Sequence, residues 1–308
     1  MCLFSNSKKD GNYMLKCVDS GYVNFVATLK EAEAGSVDAQ SKLGDLYMFA
    51  KGIEENLPQA FYWHNKAAQH GKAHSQKCLG DMYANNLGVE SDYEEAIRWY
   101  ETASAGGNAK AKFYLGLMYH IGHGTPKDYG QAYYWKRQSA EQGYVAAQFC
   151  VGLIYSTGKG VAADTHKAFD WFYNAAEKNH PLAQYNLGLA YQNGDGIERD
   201  LKQAAKWYKL SAYNGDYSGQ LAFADMLADG VGVEKDLEQA YVWFKVAECL
   251  QEPDKVILEK LNNIKNKFSG SEIILLDEKI HMLKDIIKSR EPVSNFAKLL
   301  RKYNKEVY

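Results

Sequence analysis

Apolar and small residues keep a double rhythm along this chain. Within short segments they fall at helical spacing, as at Ala147, Val151, Ile154 and Tyr155, which lie on the i, i+4, i+7, i+8 face of one helix. Between segments the whole pattern returns after 36 residues. All six tryptophans, Trp63, Trp99, Trp135, Trp171, Trp207 and Trp243, obey that period, and so do the alanines three places before them, from Ala60 to Ala240. About half a unit earlier a second motif recurs, at Leu43-Gly44, Leu79-Gly80, Leu115-Gly116, Val151-Gly152 and Leu187-Gly188. A fixed period of this size marks a helical solenoid, whose units bury their apolar faces only against one another. Glycine inside a helix costs up to ~1 kcal/mol against alanine, so its recurrence predicts a neighbouring helix too close for a side chain.

Six units begin near Ser36, Lys72, Asn108, Tyr144, His180 and Asp216. Each reads as a first helix, a loop, and a second helix carrying Ala-x-x-Trp. The loops end in Asn56, Asp92, Asp128, Asp164, Asp200 and Asp236, residues that cap a following helix. Gln59, Glu95, Gln131, Gln203 and Gln239 stand three places on, as in a capping box, with Lys167 in the fourth unit. Gly35, Gly71, Gly107, Gly143 and Gly215, with Asn179, suit the left-handed position that ends a helix.

Outside the repeats, residues 1–21 read as a loose arm and residues 22–34 as a half-repeat. Residues 22–250 thus hold the half-repeat and six full units, and residues 251–308 read as capping helices. Pro253 opens one helix, running to about Lys267. A second runs from Glu272 to Ser289 with Ile273, Leu276, Ile280, Leu283 and Ile287 on one face, and Pro292 starts a third. A solenoid needs such caps because its last unit would otherwise expose apolar surface.

Composition narrows the function without naming it. A net charge of −2 gives no whole-chain argument for nucleic acid or a membrane surface. No signal peptide and no membrane-spanning run is read, so a cytoplasmic place is expected, with export by a non-classical route left open. The five cysteines include no CxxC pair. Cys78 and Cys150 share a phase two units apart, roughly 20 Å for stacked helices, too far for a disulfide; reduced thiols are expected.

The unit A-x-x-x-L-G-x-x-Y-x-x-G-x-G-V-x-x-D-x-x-x-A-x-x-W-Y/F-x-x-A-A-x-x-G resembles the Sel-one-like repeat, a relative of the tetratricopeptide repeat. The resemblance covers about residues 36–250. Departures fall near the ends: Ala50-Lys51-Gly52 in the first unit, Asn86 in the second, Phe223-Ala224 and Leu227 in the sixth. It implies an all-α fold, a right-handed superhelical solenoid of antiparallel helix pairs. It also implies an adaptor or scaffold for protein complexes, with bacterial members in signalling, host interaction and immunity to toxins. The family's cysteine-rich, disulfide-bonded branch does not fit, because no unit here contains two cysteines.

Weighed singly, the chemical motifs are weak. The Trp ladder reads as frame: a Trp buries on the order of 200 Å². The loops Gly122-His123-Gly124, Gly158-Lys159-Gly160, Gly194-Asp195-Gly196 and Gly230-Val231-Gly232 lack the strand and the Gly-Lys-Ser/Thr of a phosphate cradle, so their glycines read as turn formers. His70 and His74 straddle the Gly71 break, and neither they nor His120 and His123 read as a metal site. No catalytic, cofactor or metal residue is expected, and the chain is read as a non-enzyme; a hydrolase would need an acid pair or Cys/His pair assembled by the fold. The sharper expectation is the concave groove of the first helices. There the middle units would present Phe113, Leu117, Phe149, Leu153, Tyr185 and Leu189, flanked by Asp45 and Asp81, as an apolar patch with a polar rim. A monomer with no integral membrane segment that binds one protein or peptide partner, and no nucleic acid, is the leading reading. An immunity protein blocking a cognate toxin is the alternative, the acidic end suiting a basic partner.

Overall fold

The computed structural model describes residues 20–51, 53–249 and 255–289. The N-terminal arm and the third capping helix expected from Pro292 lie outside the described residues. Those described form fifteen α-helices and no strand. The chain divides between Lys127 and Asp128 into two compact units.

The first unit contains α1 (Ser20–Glu33), α2 (Val37–Met48), α3 (Leu57–Gln69), α4 (Ala73–Asn85), α5 (Tyr93–Ala105) and α6 (Ala109–Ile121). The second contains α7 (Tyr129–Glu141), α8 (Val145–Thr157), α9 (Thr165–Ala176), α10 (Pro181–Asn193), α11 (Leu201–Tyr213), α12 (Tyr217–Asp229), α13 (Leu237–Glu248), α14 (Lys255–Lys265) and α15 (Gly270–Ser289). Consecutive helices pack on one another from α1 to α6 and from α7 to α13, and α14 and α15 both pack on α13. The helix-pair fold expected of the repeat is therefore present in both, and α1 packs on α2.

The caps work as the sequence requires. In each repeat the loop-ending Asn or Asp accepts the backbone N–H three residues on, from Gln59 N to Asn56 at 3.1 Å through Gln239 N to Asp236 at 2.9 Å. Where the box glutamine is replaced, Lys167 pairs with Asp164 at 2.9 Å. The helix-ending residues Gly35, Gly71, Gly107, Gly143, Asn179 and Gly215 all take positive φ.

Two features link repeats more tightly than the motifs alone disclose. Glutamines Gln40, Gln76, Gln148, Gln184 and Gln220 each donate through Nε2 to the carbonyl eight residues earlier, at 3.1–3.3 Å. This satisfies a buried carbonyl at the end of the preceding second helix and joins it to the next first helix. In the loops, a Cβ on Gly160 would lie 2.4 Å from Tyr129 O, and one on Gly196 2.2 Å from Thr165 O. These glycines give a left-handed turn, as expected, and also let the loop rest on the backbone that opens the previous second helix.

The Leu-Gly glycine has a more specific partner than a helix backbone. The space it leaves is filled by the side chain that follows each Trp: His64 against Gly44, Tyr100 against Gly80, Phe172 against Gly152 and Tyr208 against Gly188, at 2.5–2.7 Å from an added Cβ. That residue, rather than the Trp, is the deeper of the two. Tyr100, Tyr208 and Phe244 are at most 1% exposed, while Trp99, Trp135 and Trp171 are only half-buried. Trp63, Trp207 and Trp243 are buried.

At the C-terminal end, Ile257, Leu261 and Ile264 of α14 and Leu276 and Ile280 of α15 are buried in one core with Tyr241 and Phe244. Ile273, Leu283 and Ile287 flank them half-buried, as their predicted common face requires.

Candidate functional site

The residues predicted to line a groove do not share one environment. Phe113 and Phe149 are each 1% exposed and Leu117 is 8% exposed. They pack inside rather than forming an open aromatic patch, and this corrects the premise that the middle units display them. The reason is visible at Phe149, whose ring stacks on His180 at 4.7 Å and meets Phe172 at 5.9 Å. Phe113 meets Tyr114 edge-on at 5.6 Å. Leu153 on α8 and Tyr185 and Leu189 on α10 are half-buried, and Leu221 continues the series on α12; Tyr185, Leu189 and Leu221 pack at the edge of the core. Tyr185 leans on Tyr208 at 5.7 Å.

The two acidic residues are occupied within the chain. Asp81 accepts from Lys77 Nζ at 2.7 Å and from Tyr100 Oη at 2.9 Å. Burial disfavours the Lys77 charge, but Asp81 and its neighbours outweigh that and raise its pKa well above the ordinary lysine value. Asp45 receives His74 Nε2 at 3.0 Å and 3.1 Å on its two oxygens. Burial is the largest single influence on Asp45 and opposes its charge. The hydrogen bond and charge of His74, with the charges of His64 and Lys77, nevertheless hold the carboxyl below its usual range.

Around Asp45 the first unit gathers side chains that no single sequence motif brings together. His74 and Cys78 lie one turn apart on α4, with Sγ 3.6 Å from His74 Nε2. Asp45, His74 and Cys78 each place a ligand-type atom within 4.8 Å of the others. His64, on α3, is fully buried and its Nε2 is 3.7 Å from Asp45 Oδ1. The hydrogen bond that His74 donates to Asp45, then its contact with Cys78, push His74 up to about 10 against the effect of burial. Burial pushes His64 down to about 4, only partly offset by Asp45. In sequence, attention falls on His70 and His74; the informative pair is His74 with Cys78 at i, i+4, completed by a carboxylate from the preceding repeat.

Among the described residues, no helix is long and apolar enough to cross a membrane. Cys78, Cys150 and Cys249 are free thiols.

Repeated helix pairs joined by capped loops define a helical-repeat protein. The family follows from the repeats themselves: the Sel1 repeat model matches residues 37–72, 74–108, 109–144, 145–180, 181–216 and 219–250, and the chain belongs to the Sel1 repeat family. Among solved structures it is similar to a Sel1 repeat protein from Oxalobacter formigenes, with 33% identity and a TM-score of 0.70 over 77% of this chain and 68% of that one. It is also similar to a protective antigen of uropathogenic Escherichia coli that displays the SLR fold (24% identity, TM-score 0.48, 92% of this chain and 74% of that one). An immunity protein from Pseudomonas aeruginosa is a more distant likeness, at 16% identity and a TM-score of 0.42 over 75% of this chain and 82% of that one. Among curated proteins, none matches the chain. Sel1 repeat proteins generally mediate protein–protein interaction and are generally non-catalytic.

Proposed function

We propose that this chain is a non-enzymatic interaction scaffold that takes one partner protein, or an extended peptide of it, along the first-helix face of its second unit. One observation carries the reading. At successive first helices, Leu153, Tyr185, Leu189 and Leu221 are only half-buried, while neighbouring apolar residues such as Phe149, Val151, Leu187 and Phe223 are buried. An apolar series only partly covered beside a closed core favours association over solvent exposure, and a half-buried aromatic in that series, as Tyr185 is, suits a contact anchor.

The test is capture of partners by the full chain against a Leu153→Glu/Leu189→Glu variant, with helix content followed by circular dichroism. A specific partner retained by the parent and lost by a folded variant supports the face. Equal retention by both overturns it. An inhibitor of a cognate toxin would use the same face, and the captured protein separates the two readings. An enzyme whose activity the chain blocks makes it an immunity-type inhibitor; members of an assembly make it an adaptor.

A further inference from the structure

Four donors meet in the first unit in a combination that no other repeat has. Asp45 comes from α2, His64 from α3, and His74 and Cys78 from α4. In the other repeats the place of His64 is held by Tyr100, Lys136, Phe172, Tyr208 or Phe244, and the place of Asp45 becomes leucine at Leu117, Leu153 and Leu189. The frame therefore tolerates apolar residues at these phases, and packing alone does not ask for the polar set.

The protonation pattern around His64 is the telling detail. Its Nδ1 lies 3.2 Å from Ser75 Oγ, and the Ser75 hydroxyl donates onward to Ser41 Oγ at 2.9 Å. Ser75 Oγ is thus left to accept, so Nδ1 carries the ring hydrogen and Nε2 presents a bare lone pair. That Nε2 is buried without a hydrogen-bond partner. What it faces, 3.7 Å away, is another acceptor, the Asp45 carboxylate. Asp45 is half-buried and already receives His74 Nε2; His64 Nε2 is the buried acceptor left without a donor, and a cation between it and the carboxylate would supply what it lacks.

We propose that Asp45, His74 and Cys78, completed by His64 Nε2, bind a divalent transition-metal ion of the zinc type. Tetrahedral zinc with ligands at its usual bond lengths separates nitrogen, oxygen and sulfur donors by about 3.3–3.6 Å. The separations are 3.0 Å from His74 Nε2 to Asp45, 3.6 Å from Cys78 Sγ to His74 Nε2 and 3.7 Å from His64 Nε2 to Asp45, and the donor atoms of Asp45, His74 and Cys78 all lie within 4.8 Å of one another, so the side chains close up by small shifts as the ion binds. Two imidazoles, one thiolate and one carboxylate are a donor set for zinc rather than for calcium or magnesium. The Ser75 hydroxyl on His64 Nδ1 is the outer-shell partner that orients a ligating histidine. Asp45 and His74 keep 30% and 44% of their side-chain surface, which gives the ion a way in, while Cys78 is buried. On binding, the Cys78 thiol and the His74 imidazolium each give up a proton to solvent as their bonds to the metal form. The bound ion would tie α2, α3 and α4 together across the first two repeats, a structural role.

The experiment is titration of the full chain with zinc chloride by calorimetry, paired with the absorption spectrum of its cobalt derivative. One zinc per chain is expected, with a rise in melting temperature that a chelator reverses, and cobalt should show thiolate-to-metal charge transfer. Cys78→Ala should lose that absorption, and His74→Ala should bind at least tenfold more weakly. His64→Phe, which places in this repeat the side chain found at Phe172 and Phe244, should fold and also bind at least tenfold more weakly. No stoichiometric zinc binding by the parent overturns the proposal, as does parental binding by both Cys78→Ala and His74→Ala. Parental affinity in His64→Phe overturns the fourth ligand.

Discussion

The ring of Tyr208 lies across Gly188 so closely that a Cβ built on that glycine would stand 2.5 Å from Tyr208 Cδ1 and Cε1. The ring has no room to retreat, because it is 1% exposed and its hydroxyl donates to Gln192 Oε1 at 2.8 Å. Gly188→Ala sets two effects against each other. Helix propensity favours alanine by up to ~1 kcal/mol, and overpacking of a closed core costs about 1–3 kcal/mol. The clash wins: urea unfolding of the variant should show a net loss, and a gain would mean that the ring moves freely.

The loop glycines should separate into two classes. Gly35 has φ +96° and open space around its added Cβ, whereas Gly196 has φ +73° and Thr165 O at 2.2 Å. Alanine at Gly35 meets only the backbone strain, ~1 kcal/mol for a non-glycine residue in the left-handed region. Alanine at Gly196 meets that strain and must also displace the preceding helix start. Thermal melts of the two variants should rank Gly196→Ala clearly below Gly35→Ala.

Phe149→Ala should act on stability. With the ring 1% exposed and stacked on His180, truncation should cost about 3–5 kcal/mol, the range for buried aromatics. Trp171→Ala, at a half-buried ladder position, should cost less. Denaturant titration of both variants checks the order.

His180 should give the protein an acid-sensitive limb. It caps α10 by accepting Ala183 N–H on Nδ1 at 3.3 Å, and burial lowers its pKa from 6.5 to about 4. A depressed pKa in the folded state means that the unfolded chain takes up the proton first. The stabilisation is therefore fully present above pH 6.5 and is lost as pH falls toward about 4. His180→Asn keeps a capping oxygen, as Asn108 does in the third repeat, and removes the titration. Its stability should fall less steeply over that window; an identical slope would place the acid sensitivity elsewhere.

What the sequence discloses follows the distance over which each feature is encoded. Helices, caps and helix-ending glycines are local, and Asp164 with its neighbours Lys167 and Asn179 already implies how α9 begins and stops. The burial of Phe113 and Phe149 is not local. Their phase along the helix is shared with half-buried Tyr185, and only the residues stacked on each ring separate the cases. The site around Asp45 is harder still, since its donors belong to three helices in two repeats. Its legible trace was His74 and Cys78 on one face of α4. The tryptophans misled slightly in the other direction: their strict period reflects the frame, yet the less uniform residue after each one lies deeper.

The seating of each loop glycine on the backbone of the previous second helix, Gly124 on Tyr93, Gly160 on Tyr129, Gly196 on Thr165 and Gly232 on Leu201, explains why the period never slips. One residue inserted before any of these glycines would lift its loop off that seat. Such a chain can change its surface by substitution, and can grow or shrink by whole repeats, but a change of length within a repeat is closed to it.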